Sequence, residues 1–208
     1  MRTTLRELLK AQGSSSTWQD ATLDRIINLS QTWVAKTKFW SLLITTSADV
    51  TIKDKNYYDF PSNYLRGTIF FINVDSVDYS YVDIATFLKS DYGVENTFAI
   101  LGSKYYIYET PTTADLVINI YHQKRTTTLT EDTDESILQE ELHEGILQRA
   151  LYLCLKRDKK TNAALEAKND ALEIINDEWA REKKVFRGSR TIGNVLDNFP
   201  NYSASGNV

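Results

Sequence analysis

The sequence predicts an α+β fold: a helical bundle of about four helices, a small antiparallel β subdomain inserted into it, and an extended C-terminal tail. Apolar residues recur at helical spacing before Thr46 and after Asp134. Between them, Phe98–Gln123 shows the clearest period-two alternation and the clearest turns in the chain. From Gly188 onwards there is no periodic apolar face. The predicted segments are the N-terminal bundle helices (1–46), the inserted β subdomain (47–125), the C-terminal bundle helices (126–187) and the tail (188–208).

The composition limits the class of protein. The chain has 208 residues, of which 42% are hydrophobic and 25% charged, and this suits one domain with a sizeable core and an inserted subdomain. Twelve Tyr, eight Phe and four Trp favour strands and large contact surfaces. The formal net charge of −4 argues against a protein whose main task is to grip phosphates, because that task needs Lys and Arg.

Two helices are predicted before the β subdomain. A short apolar helix occupies residues 3–12, and a Gly-Ser turn at 13–16 ends it. A long amphipathic helix follows, from Thr17 or Asp20 to about Leu43. Because only small residues join the two, they are predicted to form a helical hairpin.

The β subdomain is predicted to hold short strands and one well-defined meander. Short strands flank a polar turn at residues 53–56, and another strand region covers residues 64–75. In Phe98–Gln123, Gly102-Ser103 supplies a two-residue hairpin turn and Pro111 begins a second turn. This stretch is therefore predicted to be a three-stranded antiparallel meander.

Two long helices and a tail are predicted after the β subdomain. Asp134 is expected to cap the first helix, which runs to about Lys156 and is apolar around much of its circumference. The second runs from about Asn162 to Phe186. The tail has sparse apolar residues, as a segment that docks on a partner has, and an unstructured end is the alternative. These residues are Ile192, Val195, Leu196, Phe199 and Tyr202.

No residue pattern indicates catalysis, a metal site or a cofactor. His143-Glu144 lies on a predicted helix, but a zinc metalloprotease needs a second His four residues on, where Leu147 stands. The single Cys, Cys154, is predicted to be a buried apolar residue, and the fold needs no disulfide. Paired carboxylates at Glu140 and Glu141 are explained by a solvated helix face.

Two basic clusters lie near predicted helix ends, at residues 156–160 and 181–187. The favourable interaction of cations with a helix C-terminus explains them, and contact with DNA phosphates or an acidic partner is the alternative. No window approaches the roughly 18 apolar residues of a membrane span, so no membrane partner is predicted.

Several short stretches, in their order along the chain, resemble the head-to-tail adaptor (connector) proteins of tailed bacteriophages. The resemblance covers about residues 17–187. It is carried by two helices before a β insertion and two after it, and by short motifs within them. These motifs are Asp59–Arg66 (DFPSNYLR), Gly93 through Gly102, Tyr106–Tyr108 with Pro111, Leu116–Tyr121, and the helix EELHEGILQRALYLCLKRD.

The resemblance implies a structural virion protein and no enzyme. Such proteins form a ring, usually of about twelve copies, beneath the portal of the filled head. The ring extends the DNA channel and provides the platform for tail or neck proteins, and double-stranded DNA passes through its lumen without specific binding. The expected location is the head–tail interface of the virion, after assembly in the cytoplasm of the host bacterium. C-terminal segments often reach onto the portal, so the five apolar tail residues are the candidates for portal contact.

The tyrosines of the meander are the candidates for contacts between subunits or with a tail protein. One parity of Tyr105-Tyr106-Ile107-Tyr108 is expected to face the β core and the other a neighbouring protein. Tyr121 on the next predicted strand joins Tyr105, Tyr106 and Tyr108 as a candidate. Two alternative functions remain open at this point: a virion-associated cell-wall hydrolase that uses Glu140 or Glu141, and a DNA-binding protein.

Overall fold

The computed structural model describes residues 1–14, 17–89, 95–131 and 134–186. Within these ranges it has five helices and seven strands. The helices are α1 (Arg2–Ala11), α2 (Asp20–Thr37), α3 (Ile84–Lys89), α4 (Glu141–Arg157) and α5 (Thr161–Phe186), with a 3₁₀ turn at Ser41–Leu43. The strands are β1 (Ile44–Val50), β2 (Tyr57–Asp59), β3 (Tyr64–Val74), β4 (Val77–Tyr81), β5 (Thr97–Leu101), β6 (Lys104–Ile107) and β7 (Val117–Lys124).

The chain divides into two compact units. One, here called the helical unit, consists of Met1–Leu43 together with Arg125–Val208. The other, the sheet unit, is Ile44–Lys124. None of the described helices is long and apolar enough to cross a membrane.

The sheet unit shows that the predicted fold class is wrong. Instead of a small antiparallel insertion in a helical bundle, the unit is built on a seven-stranded mixed sheet with the order β1-β7-β3-β4-β5-β6-β2. β4 and β5 run parallel through Ser80↔Thr97 and Tyr81↔Phe98, while the other neighbours are antiparallel. The connection between the parallel strands contains α3, as a parallel pair requires a crossover.

The predicted three-stranded meander is also wrong. β5 and β6 do form a hairpin around Gly102, whose φ of +63° suits glycine. However, β7 lies between β1 and β3, and β6 pairs with β2 on its other side. Local alternation had identified the strands, but their pairing is set by partners that are distant in sequence.

A hairpin that the sequence did not reveal joins β3 to β4. Asp75 and Ser76 both have positive φ, 47° and 70°, as in the type I′ turn that fits the twist of a two-residue hairpin. The side chain of Asn73 supports the turn, because its Oδ1 accepts the Ser76 amide at 3.2 Å and its Nδ2 donates to Asp78 at 2.8 Å. The signal was weak because neither turn residue is a glycine.

The core of the sheet unit forms where the inward-facing residues of its strands meet. Period-two alternation selects these residues in β6 and β7, where every second side chain points inward, whereas register shifts interrupt the period in β3. Tyr58 and Tyr105 stack with ring centroids 5.5 Å apart, and Phe60 stacks on Tyr64 at 4.4 Å. The buried cluster is Tyr58, Tyr64, Ile69, Ile72, Val74, Phe98, Tyr105, Ile107, Ile118 and Ile120.

The helical unit is held together by apolar packing and a few side-chain bonds. α4 packs on both α5 and α2, and Gly145 faces α5, where an added Cβ would lie 3.4 Å from the Ile174 side chain. Arg2 on α1 binds the Asp24 carboxylate through two nitrogens, at 2.6 and 2.9 Å. α2 ends at Thr37 and not near Leu43 as predicted.

The predicted cap at Asp134 is wrong as well, because α4 begins at Glu141. The Asp134 carboxylate instead accepts hydrogen bonds from two preceding backbone amides, those of Thr130 at 2.7 Å and Glu131 at 2.9 Å. These amides hold the pKa of Asp134 below its usual range. The residue therefore shapes the loop before α4 and does not start the helix.

Candidate interaction surfaces

Strand β6 places its tyrosines on two faces. Tyr105 and Ile107 point into the core of the sheet unit and are fully buried. The Tyr105 hydroxyl is buried without a hydrogen-bond partner among the described residues, and burial raises its pKa. Tyr106 and Tyr108 are half-buried. Tyr105 is thus unavailable to a partner, whereas Tyr106 and Tyr108 keep part of their surface in solvent.

Tyr106 belongs to an aromatic and cationic cluster at the β2 edge of the sheet. It pairs across the strands with Tyr57, which is 40% exposed, and their ring centroids are 5.9 Å apart. The Lys104 ammonium lies 4.4 Å above the Tyr57 ring, and its Nζ is 4.0 Å from the Asp59 carboxylate. Ordered rings with a polar rim, on an edge strand, are features of protein–protein contacts.

Tyr121 lies on a second face, formed by β1, β7 and β3. Its ring stacks on Phe71 with centroids 4.2 Å apart and an interplanar angle of 19°. Val50 on β1 pairs with Val117 on β7, and their exposed fractions are 44% for Val50 and 48% for Val117. Since Val117 and Tyr121 are an even number of residues apart on β7, their side chains lie on one face. This face therefore combines a stacked aromatic pair with exposed aliphatic side chains.

The remaining predicted contact residues divide into one that is described and five that are not. Tyr108 makes an edge-on contact with Phe87 on α3, at 6.1 Å between ring centroids. The candidates for portal contact lie outside the described residues. They are Ile192, Val195, Leu196, Phe199 and Tyr202.

One further cluster joins a cation on α4 to aromatic rings on α2 and α4. The Arg149 guanidinium on α4 lies 4.3 Å above the Trp33 ring of α2 and 4.7 Å above the Tyr152 ring. These three side chains are here called the Arg149 cluster. The only signal in the sequence was a single Arg between the apolar residues Leu147 and Leu151. Its aromatic partner Trp33 is far away along the chain, and the fold alone brings them together.

Of the groups that resemble catalytic residues, His122 has a structural role. His122 is fully buried, with Nδ1 2.9 Å from the Gln123 carbonyl and Nε2 2.9 Å from Ser47 Oγ. Because a carbonyl only accepts, the Nδ1–H of His122 donates to the Gln123 carbonyl. The contact between His122 and Ser47 ties β1 to β7 inside the sheet unit. Glu140 and Glu141 are exposed at the start of α4.

The described part of the chain contains neither a candidate metal site nor a reactive thiol. Those residues contain no group of three or more His, Cys, Asp and Glu side chains able to hold a metal ion. Cys154 is buried on α4, and burial raises the pKa of its thiol to about 12. A thiol with that pKa remains protonated and unreactive at neutral pH.

Comparison with known proteins supports the resemblance seen in the sequence. The family model described as SU10 adaptor protein matches residues 1–191. No curated protein matches the chain. The match covers most of the chain, including both units and the predicted adaptor motifs, and confirms the resemblance to head-to-tail adaptors.

Proposed function

Because the chain belongs to the SU10 adaptor protein family, we propose that it is a head-to-tail adaptor that forms a ring under a phage portal. The ring contains about twelve copies, extends the DNA channel and gives tail or neck proteins their attachment platform. The observation that carries this proposal is the family match over residues 1–191. The protein is then a structural component of the virion, assembled in the host cytoplasm, and it has no enzymatic step to perform.

A ring of identical subunits needs two different patches on each subunit that fit one another. The described surface offers contacts of the required chemistry. Tyr57 with Tyr106 and Phe71 with Tyr121 present ordered rings, and Tyr is enriched where interface energy is concentrated. We assign Tyr106, Tyr108 and Tyr121 to contacts with a neighbouring subunit or a tail protein.

The charge of the chain supports a channel that does not hold its DNA. Tight binding of a duplex requires Lys and Arg to neutralise phosphates, and the formal net charge here is −4. DNA that must move during packaging and ejection is better served by a wall that does not bind it. We therefore assign no DNA-binding site to the chain, and DNA is a passing occupant of the lumen.

The proposal is tested with purified protein and tail-less filled heads that carry the portal. Electron microscopy is expected to show an added ring of density beneath the portal, in register with its axis. Heads incubated with a matched amount of an unrelated acidic protein are the control. If no added density is found at any protein concentration, the chain is not the adaptor of that portal class.

Portal attachment is assigned to the C-terminal segment, and a truncation tests this. Removing residues 188–208 is expected to weaken binding to portal-bearing heads while the far-UV circular dichroism of the protein stays unchanged. Substituting Phe199 and Tyr202 by Ala in the full chain narrows the effect to its aromatic anchors. Unchanged binding of the truncated chain would mean that other residues hold the portal.

A further inference from the structure

The Arg149 cluster contains a cation that has no anionic partner among the described residues. The Arg149 guanidinium lies against Trp33 and Tyr152, and its Nε is buried without a hydrogen-bond partner among the described residues. No carboxylate in that part of the chain forms an ion pair with it. Burial lowers the pKa of Arg149, as expected for a desolvated cation. A half-buried, unpaired cation costs free energy that an incoming carboxylate would recover.

The surroundings of the cluster are partly exposed to solvent. Leu29, one turn before Trp33 on α2, is 54% exposed, and Lys36, one turn after it, is exposed as well. The Lys156 ammonium lies 5.8 Å from the centre of the Tyr152 ring. Trp, Tyr and Arg are the residues in which the binding energy of interfaces is concentrated. Two acidic groups are exposed in the first turn of α4, Glu141 and Glu144, and the Glu144 carboxylate accepts a bond from Gln148 at 2.8 Å.

Helix α5 has the complementary charge on its exposed face. Four carboxylates lie there, and with 100° per residue they fall within a sector of about 60° that runs for about 16 Å along the helix. They are exposed, and none of them forms an ion pair with a described residue. We call Glu166, Asp170, Glu173 and Asp177 the α5 acidic stripe.

The two features cannot meet within one copy. The buried side of α5, which includes Ala164, Ala171 and Ile175, packs against α4, and Ile175 comes close to the Gly145 position. The acidic stripe is on the opposite side of α5 and so points away from α4. The Arg149 cluster lies between α4 and α2. One unit therefore carries an acidic face and a cationic aromatic face that point in different directions.

We propose that the Arg149 cluster of one copy receives the α5 acidic stripe of the next copy. This proposal rests on the ring assigned under Proposed function and names the faces that close it. A contact between two different faces is heterologous, and repetition of it generates a ring when the rotation closes. Carboxylates of the stripe pair with Arg149 and Lys156, while Leu29 and the rings of Trp33 and Tyr152 supply the apolar centre of the contact.

The test uses two full-length variants that each lack one face. Arg149→Ala removes the cation of the cluster, and the double substitution Asp170→Ala/Glu173→Ala weakens the stripe. Assembly is measured by sedimentation velocity in solution and by electron microscopy on portal-bearing heads. Each variant alone is expected to associate with itself at least about 30-fold more weakly than the wild type, the loss typical of a hot-spot residue.

Mixing the variants distinguishes a heterologous contact from other arrangements. The mixture contains one intact pair of faces, the stripe of the Arg149→Ala chain and the cluster of the other chain. It should therefore form a heterodimer and stop there. A single chain that combines Arg149→Glu with Asp170→Arg/Glu173→Arg is expected to regain rings, because the charges are exchanged and not lost. Arg66→Ala, which removes an exposed arginine of the sheet unit, is the control and should assemble normally.

The outcomes separate this inference from the proposed function. If the wild type forms rings and both variants form them equally well, the inference is wrong and the adaptor assignment stands. If the variants form rings but lose attachment to heads, the cluster binds a carboxylate of the portal, and a second copy is not its occupant. If the wild type forms no ring even on heads, both fail. Should Arg149→Ala not fold, the α5 variant decides the question, since its side chains are exposed.

Discussion

Asn28→Ala is expected to release the segment that leads from the sheet unit into α4. The Asn28 side chain binds both backbone groups of Leu129: its Nδ2 donates to the carbonyl and its Oδ1 accepts the amide, each at 2.8 Å. Nδ2 also donates to the Asp24 carbonyl at 2.9 Å. Alanine leaves the two Leu129 groups unpaired beside a buried side chain. The expected loss is about 2–3 kcal/mol, since each partly buried bond contributes roughly 1 kcal/mol.

Two measurements check this prediction. Thermal denaturation should show a fall in Tm of roughly 4–12 °C for a chain of this size. Hydrogen exchange should show faster exchange at the Leu129 amide, because its acceptor is gone. Thr32→Val is the matched control, as it removes a bond to the Asn28 carbonyl within α2 and leaves the Leu129 contact intact. Leu129 protection equal to that of the wild type would refute the reasoning.

Three further substitutions or reagents test the packing of both units. Gly145→Ala should raise the free energy of unfolding by about 1 kcal/mol, because the added Cβ would lie in ordinary contact with Ile174 and alanine favours the helix. Gly145→Leu should lower it by about 1–3 kcal/mol, because the longer side chain overpacks the contact with α5. Melting curves equal to that of the wild type would contradict both expectations. Cys154 should react with a thiol reagent at about pH 8 only after denaturant is added, and rapid reaction of the native protein would disprove its burial. Tyr105→Phe should leave stability unchanged or raise it, since the buried hydroxyl lacks a partner among the described residues; a loss above about 1 kcal/mol would show that it has one.

The helices were predictable from the sequence, and several of their ends were not. α4 and α5 have apolar residues at helical spacing, and burial of that face is what stabilises them. Helix ends depend on single hydrogen bonds. Asp134 is a residue type that often caps helices, but its carboxylate accepts hydrogen bonds from the preceding amides of Thr130 and Glu131. No local sequence pattern distinguishes these two arrangements.

The sheet was underestimated because two of its strands lack a clear alternation. β1 (ITTSADV) is an edge strand whose residues are mostly small, polar and exposed, so no apolar face marks it. β3 has apolar residues on both faces, and a register shift between Ile69 and Phe71 interrupts its period. β7 pairs with both β1 and β3, and this pairing depends on contacts between residues that are far apart in sequence.

The surface residues were predictable only where they follow a local period. The alternation in β6 predicted that one parity would enter the core, and Tyr105 does so. The Arg149 cluster depends instead on α2 packing against α4, so a basic residue in an apolar helix was its only local trace. The formal net charge of −4 did not predict the cluster either. A net charge is a sum over the chain, so it does not show that acidic residues lie on one face of the helical unit and the Arg149 cluster on another.

The heterologous contact also predicts how a small proportion of variant copies affects assembly. In a closed ring, a copy with Arg149→Ala weakens the junction on one of its sides and leaves the other intact, because its acidic stripe still fits the next cluster. A 30-fold loss corresponds to about 2 kcal/mol at that junction. A ring built only from variant copies would lose roughly 2 kcal/mol at every junction, whereas one variant copy would weaken a single junction. Ring yield should therefore tolerate a low fraction of Arg149→Ala and collapse steeply at a high fraction. A yield that does not depend on that fraction would place Arg149 outside the subunit contact.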